Sequence, residues 1–164
     1  MPCISIKDTK LQTFQYKILN HILPCQSKLF NWKIADNYSC KYCGEYDSLS
    51  HYLYTCSIST FFFNQLNNWL WTSVKARIPL SKGDIIFGIK NTDNLLLNNL
   101  NVLILYGKWY IHRRKIENKD LFFLDYLNDV KQNLIIEKQR FSLKGEKDAF
   151  DKKWSNFKDV LLDT

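Results

Sequence analysis

Apolar residues recur at helical spacing in the first part of the chain. In LQTFQYKILNHIL they fall on one face of a repeat of about 3.6 residues, and Pro24 is expected to end this helix. KLFNWKI predicts a short second helix. The stretch SLSHYLYTCSISTFFFNQLNNWLW predicts a third, with Asp47 or Ser48 available as its N-cap. The apolar face of the first helix consists of Leu11, Phe14, Ile18 and Ile22.

The remainder of the chain predicts three further helices. Two long ones are expected over about 93–117 and 119–141, and a last one after Gly145. The intervening IPLSKGDIIFGI is predicted to be a loop or a short extended piece, because one proline and two glycines interrupt it. No internal repeat or sustained heptad pattern is present. The sequence therefore predicts a mostly α fold, a helical bundle.

Composition indicates a folded chain. Hydrophobic residues make up 46% of the 164, and no segment rich in Pro, Gly or Ser divides them. We predict a helical lead-in over 1–75, which holds all five cysteines and the aromatic helix, and a C-terminal helical region over 76–164. The stretch STFFFNQLNNWLW offers more apolar surface than the lead-in can cover. The two parts are therefore expected to pack together as one cooperative unit.

Neither a membrane span nor a secretory signal is evident in the sequence. The most apolar stretch, NNLNVLILYGKWYI, is interrupted by Asn101 and Lys108, and the first residues contain no apolar signal core. We expect a nuclear or cytoplasmic protein with no membrane partner. In such a reducing compartment, clustered cysteines are more often metal ligands than disulfides. The net charge of +7 fits an anionic partner without requiring one.

One short segment has the spacing of a metal site. Cys40 and Cys43 are separated by two residues, His51 follows after seven more, and Cys56 after another four. This pattern is typical of closed tetrahedral zinc sites. Gly44 leaves the backbone free to turn tightly after the first pair. Four protein ligands leave no position for a catalytic water, so we predict one structural Zn²⁺ inserted in the helical bundle.

The spacing of the last two ligands constrains the backbone. His51 and Cys56 are five residues apart, so on a regular helix their side chains diverge by about 140°. The helix is therefore expected to start, fray or bulge between them.

The alternative to a metal site is that the cysteines are simply small buried hydrophobic residues. The remaining cysteines and histidines stand alone and are predicted to have core or surface roles: Cys3, Cys25, His21 and His112.

The segment from Leu11 to Cys56 resembles the region that follows the polymerase domain in LINE-type (non-LTR) retrotransposon reverse transcriptases. In that family a Phe-rich, basic helical stretch leads into a Cys-Cys-His-Cys zinc motif, which a Trp-bearing helix similar to FFFNQLNNWLW follows. The downstream YGKWYIHRRKIENKDLFFLDYLNDVKQNLIIEKQRF is similar to the family's C-terminal tail. The resemblance covers roughly residues 10–158.

The resemblance implies a binding role without chemistry. In the family, the zinc segment is thought to hold template RNA or target DNA beside the polymerase. This chain has no adjacent aspartates to bind two catalytic metals, and no endonuclease, deaminase, phosphate-loop or GxSxG motif. We therefore expect no enzyme activity, and a piece, decayed copy or domesticated copy of such a polyprotein. Its expected partners are RNA or DNA, and possibly the reverse transcriptase domain.

Two groups of residues are predicted to contact nucleic acid. One lies at the metal turn, where a ring between two ligands could stack on a base. The other is the stretch GKWYIHRRK, whose cations are expected at the surface. Helix capping and solvation explain that basic stretch equally well, and the tyrosines of the third helix could pack the small zinc core. The predicted contacts are Lys41 and Tyr42 in the first group, and Lys108, Arg113, Arg114 and Lys115 in the second.

A second hypothesis assigns the chain no nucleic acid. In that case the zinc fastens a helical scaffold whose partner is another protein. A continuous basic face from Lys41 to Arg113 favours nucleic-acid binding, whereas scattered charge favours the scaffold.

Overall fold

The fold is mostly α, as the sequence predicts. The computed structural model describes residues 8–90 and 93–162, and within these ranges it contains helices and one isolated antiparallel bridge, between Ser39 and Tyr46. No helix in these ranges is both long and apolar enough to cross a bilayer. The helices are α1 Thr9–Leu19, α2 Gln26–Asn31, a π-turn at His51–Thr55, α3 Ser57–Val74, α4 Lys82–Phe87, α5 Leu95–Glu117, α6 Phe123–Leu143, α7 Lys147–Lys153 and α8 Lys158–Leu161.

Helix α5 lies at the centre of the fold. It is buried on nearly every side, because α1, α4, α6 and the π-turn all pack against it. A helix covered all round carries no single apolar stripe, which fits the continuous apolar run in its sequence. Gly107 allows the closest approach: a β-carbon there would lie 3.0 Å from the Phe62 ring of α3.

Helices α5 and α6 form an antiparallel hairpin. Asn118 ends α5 in a left-handed conformation, with φ of 52°. The Tyr110 hydroxyl donates to the Phe122 carbonyl at 2.9 Å, and the Tyr126 hydroxyl donates to the Leu103 carbonyl at 2.9 Å. Buried tyrosines thus tie the two helices together near the turn and along their length. The C-terminal helices α7 and α8 then pack against α6.

The first helix ends earlier than predicted. It stops at Leu19, and His21 adopts a left-handed φ of 54°. The Ile22 amide donates to the Lys17 carbonyl at 2.9 Å, and the His21 amide donates to the Ile18 carbonyl at 3.1 Å, which is the Schellman pattern of helix ends. Pro24 therefore lies beyond the helix end, and Ile22 leaves the apolar face and is exposed.

The predicted loop over IPLSKGDIIFGI contains a short helix, α4. Its start is a capping box: the Asp84 amide donates to the Ser81 hydroxyl at 3.2 Å, and the Ser81 amide donates to the Asp84 carboxylate at 2.9 Å. Gly88 ends it with φ of 89°. The prediction failed here because Pro79 and Gly88 flank the helix and Gly83 lies within its first turn, which this reciprocal capping stabilises.

Both predicted parts of the chain contribute to one core. Buried residues from the lead-in and from the helical region belong to the same apolar cluster. Trp109 of α5 meets Phe14 of α1 edge to face at 5.1 Å, and Trp69 of α3 stacks on Phe157 at 6.0 Å. These contacts join segments that are far apart in sequence.

We expect the chain to unfold in a single transition. Two of its tryptophans sit at contacts between the two parts, so loss of either part exposes them. Tryptophan fluorescence and helical circular dichroism should give the same midpoint during thermal unfolding. Two separated midpoints would show that 1–75 and 76–164 fold independently.

Candidate metal centre

The two cysteines of the first pair lie on a tight hairpin, residues 38–47, which we call the knuckle. The Cys40 amide donates to the Glu45 carbonyl at 2.7 Å, and the Gly44 amide donates to the Cys40 carbonyl at 2.9 Å. Gly44 has φ of 78°, a conformation that side chains disfavour, as its position after Cys43 led us to expect. The backbone therefore turns sharply enough to bring the two sulfurs close together, with Cys40 buried and Cys43 exposed.

The other two ligands lie at either end of the π-turn. The Cys56 amide donates to the His51 carbonyl, five residues back, at 2.9 Å. Cys56 itself is extended, with ψ of 136°, and α3 begins at the next residue. The predicted break between His51 and Cys56 is confirmed. Ser48 accepts from the His51 amide at 3.1 Å, as an N-cap would, whereas Asp47 caps α2 by accepting from the Gln26 amide at 2.8 Å.

The four side chains converge. Their ligand atoms all lie within 4.8 Å of one another: the sulfurs of Cys40, Cys43 and Cys56 and a ring nitrogen of His51. The Cys40 and Cys56 sulfurs are 3.7 Å apart, well beyond the roughly 2.05 Å of a disulfide. All four cysteines of the described residues are free thiols. This Cys₃His cluster can hold a metal ion.

The orientation of His51 suits a ligand. Its Nε2 faces Cys43, at 3.2 Å from the sulfur. Its Nδ1 faces outward, 3.4 Å from a Glu45 carboxylate oxygen and 3.4 Å from the Thr55 hydroxyl. A ligating histidine commonly donates its second N–H to a carboxylate, which fixes the ring and the tautomer. Glu45 and Thr55 therefore form the outer contacts of the site.

Charge around the cluster comes mainly from one lysine. Burial raises the pKa of Cys56 to about 11, while the Lys115 ammonium and the Ile58 backbone N–H lower it. A metal must displace the thiol proton in order to bind. Lys115 supplies a positive charge beside a site that would carry three thiolates.

Of the isolated cysteines and histidines, Cys25, His21 and His112 stay outside the cluster, as predicted. Cys25 is buried with its sulfur 3.5 Å from the Ser27 hydroxyl, and His112 hydrogen-bonds with the Tyr52 hydroxyl at 3.0 Å. Burial lowers the pKa of His112 to about 4. His21 lies just beyond the C-terminal end of α1, where its backbone amide donates to the Ile18 carbonyl. Cys3 lies outside the described residues.

The predicted basic cluster is not one exposed surface, and the expectation is wrong for two of its lysines. Lys108 is 2% exposed, and its amine donates to the Gln15 side chain at 2.7 Å and to the Ile86 carbonyl at 3.2 Å. It satisfies a carbonyl at the end of α4. Lys115 is 7% exposed and donates to the Tyr52 carbonyl at 2.6 Å. Both positions face the core because α5 is covered on several sides.

The two arginines are at the surface but paired. Arg113 forms an ion pair with Asp129, and Arg114 forms one with Asp125, both on α6. These pairs connect α5 to α6 and neutralise the positive charge of the two arginines. A continuous basic face from Lys41 to Arg113 is therefore not present in the described part of the chain.

Lys41 and Tyr42 sit where the knuckle meets the end of α5. The exposed Lys41 amine donates to the Asn118 side chain at 3.3 Å. Tyr42 is half-buried, with its ring 5.7 Å from the Lys115 amine. The structure thus brings Lys41, Tyr42 and Lys115 together, with Tyr42 turned inward rather than free at the tip. Tyr52 is buried, in accord with a packing role.

Sequence reasoning missed a row of exposed rings beside the metal centre. Phe30 and Tyr38 are 5.6 Å apart, and Tyr38 and Tyr46 are also 5.6 Å apart, between ring centroids. Tyr38 is 49% exposed and Tyr46 is 57% exposed. We call these three side chains the aromatic row. The available signal was that aromatic residues flank the cysteine pair on both sides, so that a hairpin there must bring them together.

No protein-family model, curated protein or solved structure matches this chain. The functional inference for this chain therefore rests on its residues and their geometry.

Replacing Lys108 should remove a pH dependence of stability. Burial lowers its pKa from 10.5 to about 7. Between these values the unfolded chain binds the extra proton, so the contribution of Lys108 to stability rises with pH, by at most about 1.4 kcal/mol per pH unit. In urea unfolding at several pH values, the parent should gain stability relative to Lys108→Met across this window. Lys10→Met, at an exposed position on α1, should follow the parent. A constant difference between parent and Lys108→Met would contradict the prediction.

Proposed function

We propose that this chain is a non-catalytic, zinc-containing domain that binds single-stranded RNA or DNA. It would correspond to the C-terminal segment of a LINE-type reverse transcriptase, or to a decayed or domesticated copy of one. The observation that carries the proposal is the exposed aromatic row beside the Cys₃His cluster. Its place of action would be the nucleus or the cytoplasm.

Zinc is the metal that we propose for the cluster. Three thiolates and one imidazole form a soft donor set that suits Zn²⁺. Zinc–sulfur bonds of about 2.3 Å in a tetrahedron give a sulfur–sulfur distance of about 3.8 Å, and Cys40 and Cys56 lie 3.7 Å apart. With four protein ligands the ion would have no open position. Its role would be to hold the knuckle against the start of α3.

The aromatic row offers stacking surfaces for bases. Single-stranded nucleic acids bind by stacking bases on exposed rings while nearby cations meet the phosphates. Phe30, Tyr38 and Tyr46 provide the rings. Lys28 lies on α2, Lys33 two residues beyond its end and Lys41 on the knuckle, and the described residues give none of these lysines an ion-pair partner. Duplex binding is less suited, since stacking requires bases that are already unpaired.

The resemblance supports the same role. The chain lacks the paired aspartates of a polymerase, so in this proposal the catalytic partner is another domain, such as the reverse transcriptase domain of a parent polyprotein. The zinc domain would hold the strand that this partner copies or extends.

The alternative function is a zinc-fastened helical scaffold that binds a protein. The observation that favours it is the pairing of Arg113 and Arg114 with Asp129 and Asp125. Because of these pairs, the two arginines of GKWYIHRRK have no unpaired charge with which to bind phosphates. The two functions differ in whether purified protein binds oligonucleotides at all.

We expect one zinc per chain. Loss of the ion leaves buried thiols without their shared partner and frees the knuckle, so Cys43→Ser should lower stability by on the order of several kcal/mol. The measurements are elemental analysis of protein purified without chelator, and thermal unfolding. Cys25→Ser, at a cysteine outside the cluster, should retain its zinc. Protein without zinc, or Cys43→Ser with parental melting, would contradict the proposal.

The aromatic row should dominate oligonucleotide affinity. Stacking contributes roughly 1–3 kcal/mol per base, so Tyr38→Ala and Tyr46→Ala should each weaken binding to single-stranded oligonucleotides by about 5- to 150-fold. Tyr16→Ala, at an exposed tyrosine on α1, is the matched control and should bind as the parent does. Fluorescence anisotropy at several salt concentrations gives the affinities.

The salt dependence separates stacking from phosphate contacts. The tyrosine variants should keep the parental salt slope, whereas Lys33→Gln with Lys41→Gln should reduce it by up to about 1.4, or about 0.7 per phosphate contact. If the parent binds neither RNA nor DNA, or if both tyrosine variants bind as the parent does, the scaffold function is favoured.

A further inference from the structure

A small cavity lies beside the metal centre. It has a volume of about 260 Å³ and is enclosed by the start of α2, the knuckle and the end of α5. Its apolar walls include Pro24, Leu29 and Ile116. Of the four metal ligands only Cys40 lines it, so it is a neighbouring site rather than the metal position itself. Its size suits one small ring system, below the range of about 300–1,000 Å³ typical of larger ligands.

Two residues that line the cavity have buried polar atoms without partners in the protein. Asp47 is 4% exposed; one carboxylate oxygen caps α2, while the other, Oδ1, is buried and accepts no hydrogen bond. The Tyr42 hydroxyl is also buried without a partner. Unpaired buried polar groups are destabilising and rare in folded proteins, so two of them on residues that line one small cavity indicate a site for a ligand.

A cation completes the wall. The Lys115 amine donates one hydrogen bond, to the Tyr52 carbonyl, and lies over the rings of Tyr52 and Tyr42 at 4.5 Å and 5.7 Å. An ammonium group has three donors, so two remain. The residues that line the cavity thus hold an unused acceptor on Asp47 and unused donors on Lys115 and Tyr42, together with apolar and aromatic surface.

These groups determine the class of ligand. An anion would meet the buried Asp47 carboxylate, and a cation would meet Lys115, so the ligand is neutral. It must present an N–H to Asp47 and an acceptor to Lys115 and Tyr42. A carbonyl oxygen has two lone pairs and can accept from both donors, whereas a ring nitrogen has only one. The match is a flat heterocycle with an N–H next to a C=O.

We propose that this cavity binds one keto nucleobase, namely uracil, thymine or guanine, of the bound single strand. The inference rests on the proposed function and deepens it. Leu29 belongs to the same helix as Phe30, and Asp47 follows Tyr46, so the cavity and the aromatic row are built on the same two segments. A base bound in the cavity would hold the strand in place, while the neighbouring bases of that strand stack on the aromatic row.

The test uses the full zinc-loaded chain and three probes: uridine, 3-methyluridine and inorganic phosphate. Backbone amide NMR shifts during titration report both location and affinity. Uridine should shift the amides of Tyr42, Asp47 and Lys115. 3-Methyluridine, which lacks the N–H, should bind at least about tenfold more weakly, because Asp47 then has no donor to accept from. Equal binding of the two nucleosides, or phosphate shifting the same amides, overturns the proposal.

A matched pair of variants tests the hydroxyl. Tyr42→Phe removes only the unpartnered O–H and should weaken uridine binding by up to about tenfold. Tyr46→Phe, on the same knuckle but outside the cavity, should bind uridine as the parent does. Unchanged zinc content shows that each variant is folded at the site. Equal uridine affinity of Tyr42→Phe and the parent counts against the cavity.

The two proposals fail in different ways. If oligonucleotides bind through the aromatic row while uridine leaves the cavity amides unchanged, the base pocket is overturned and the proposed function stands. If no oligonucleotide binds, the proposed function is overturned, and with it the role of the pocket in holding a strand.

Discussion

The burial of α5 on nearly all sides is the constraint on which the rest of the fold depends. A helix with so little exposure to solvent has to be covered by several other elements, and here these come from before it and after it in the chain. Polar groups on α5 must then find partners inside the protein. The Lys108 amine donates to the Gln15 side chain and to a carbonyl at the end of α4, and the Lys115 amine donates to a carbonyl of the π-turn. The metal turn is thereby attached to the core by a buried lysine rather than by apolar contact alone.

Local sequence signals predicted much of this structure. The long helices follow apolar periodicity, and the five-residue gap between His51 and Cys56 required a break in helical geometry, which the π-turn provides. Helix α4 was missed because its capping box lies among residues that interrupt helices elsewhere. Such reciprocal side-chain capping is visible in the sequence only when Ser81 and Asp84 are read together.

The candidate site was harder to predict because its surface is made by tertiary contacts. Four cations within GKWYIHRRK suggested one basic face, yet their positions around α5 direct two into the core and two towards α6. The sequence cannot show which sides of a helix its neighbours cover. The aromatic row has the converse origin. Its three rings follow one another at intervals of eight residues and are adjacent because the knuckle folds back towards α2.

Lys115 and the metal ligands are coupled through charge, although Lys115 lies about sixty positions after Cys56 in the sequence. With the proposed zinc, three thiolates give the site a net negative charge, which the buried ammonium balances. Exchange of one cysteine for a second histidine would still offer four ligands, but the site would become neutral. Lys115 would then lose the thiolate charge that its buried ammonium balances, which is costly. The ligand set and the residue at 115 are therefore expected to change together as this kind of domain diverges.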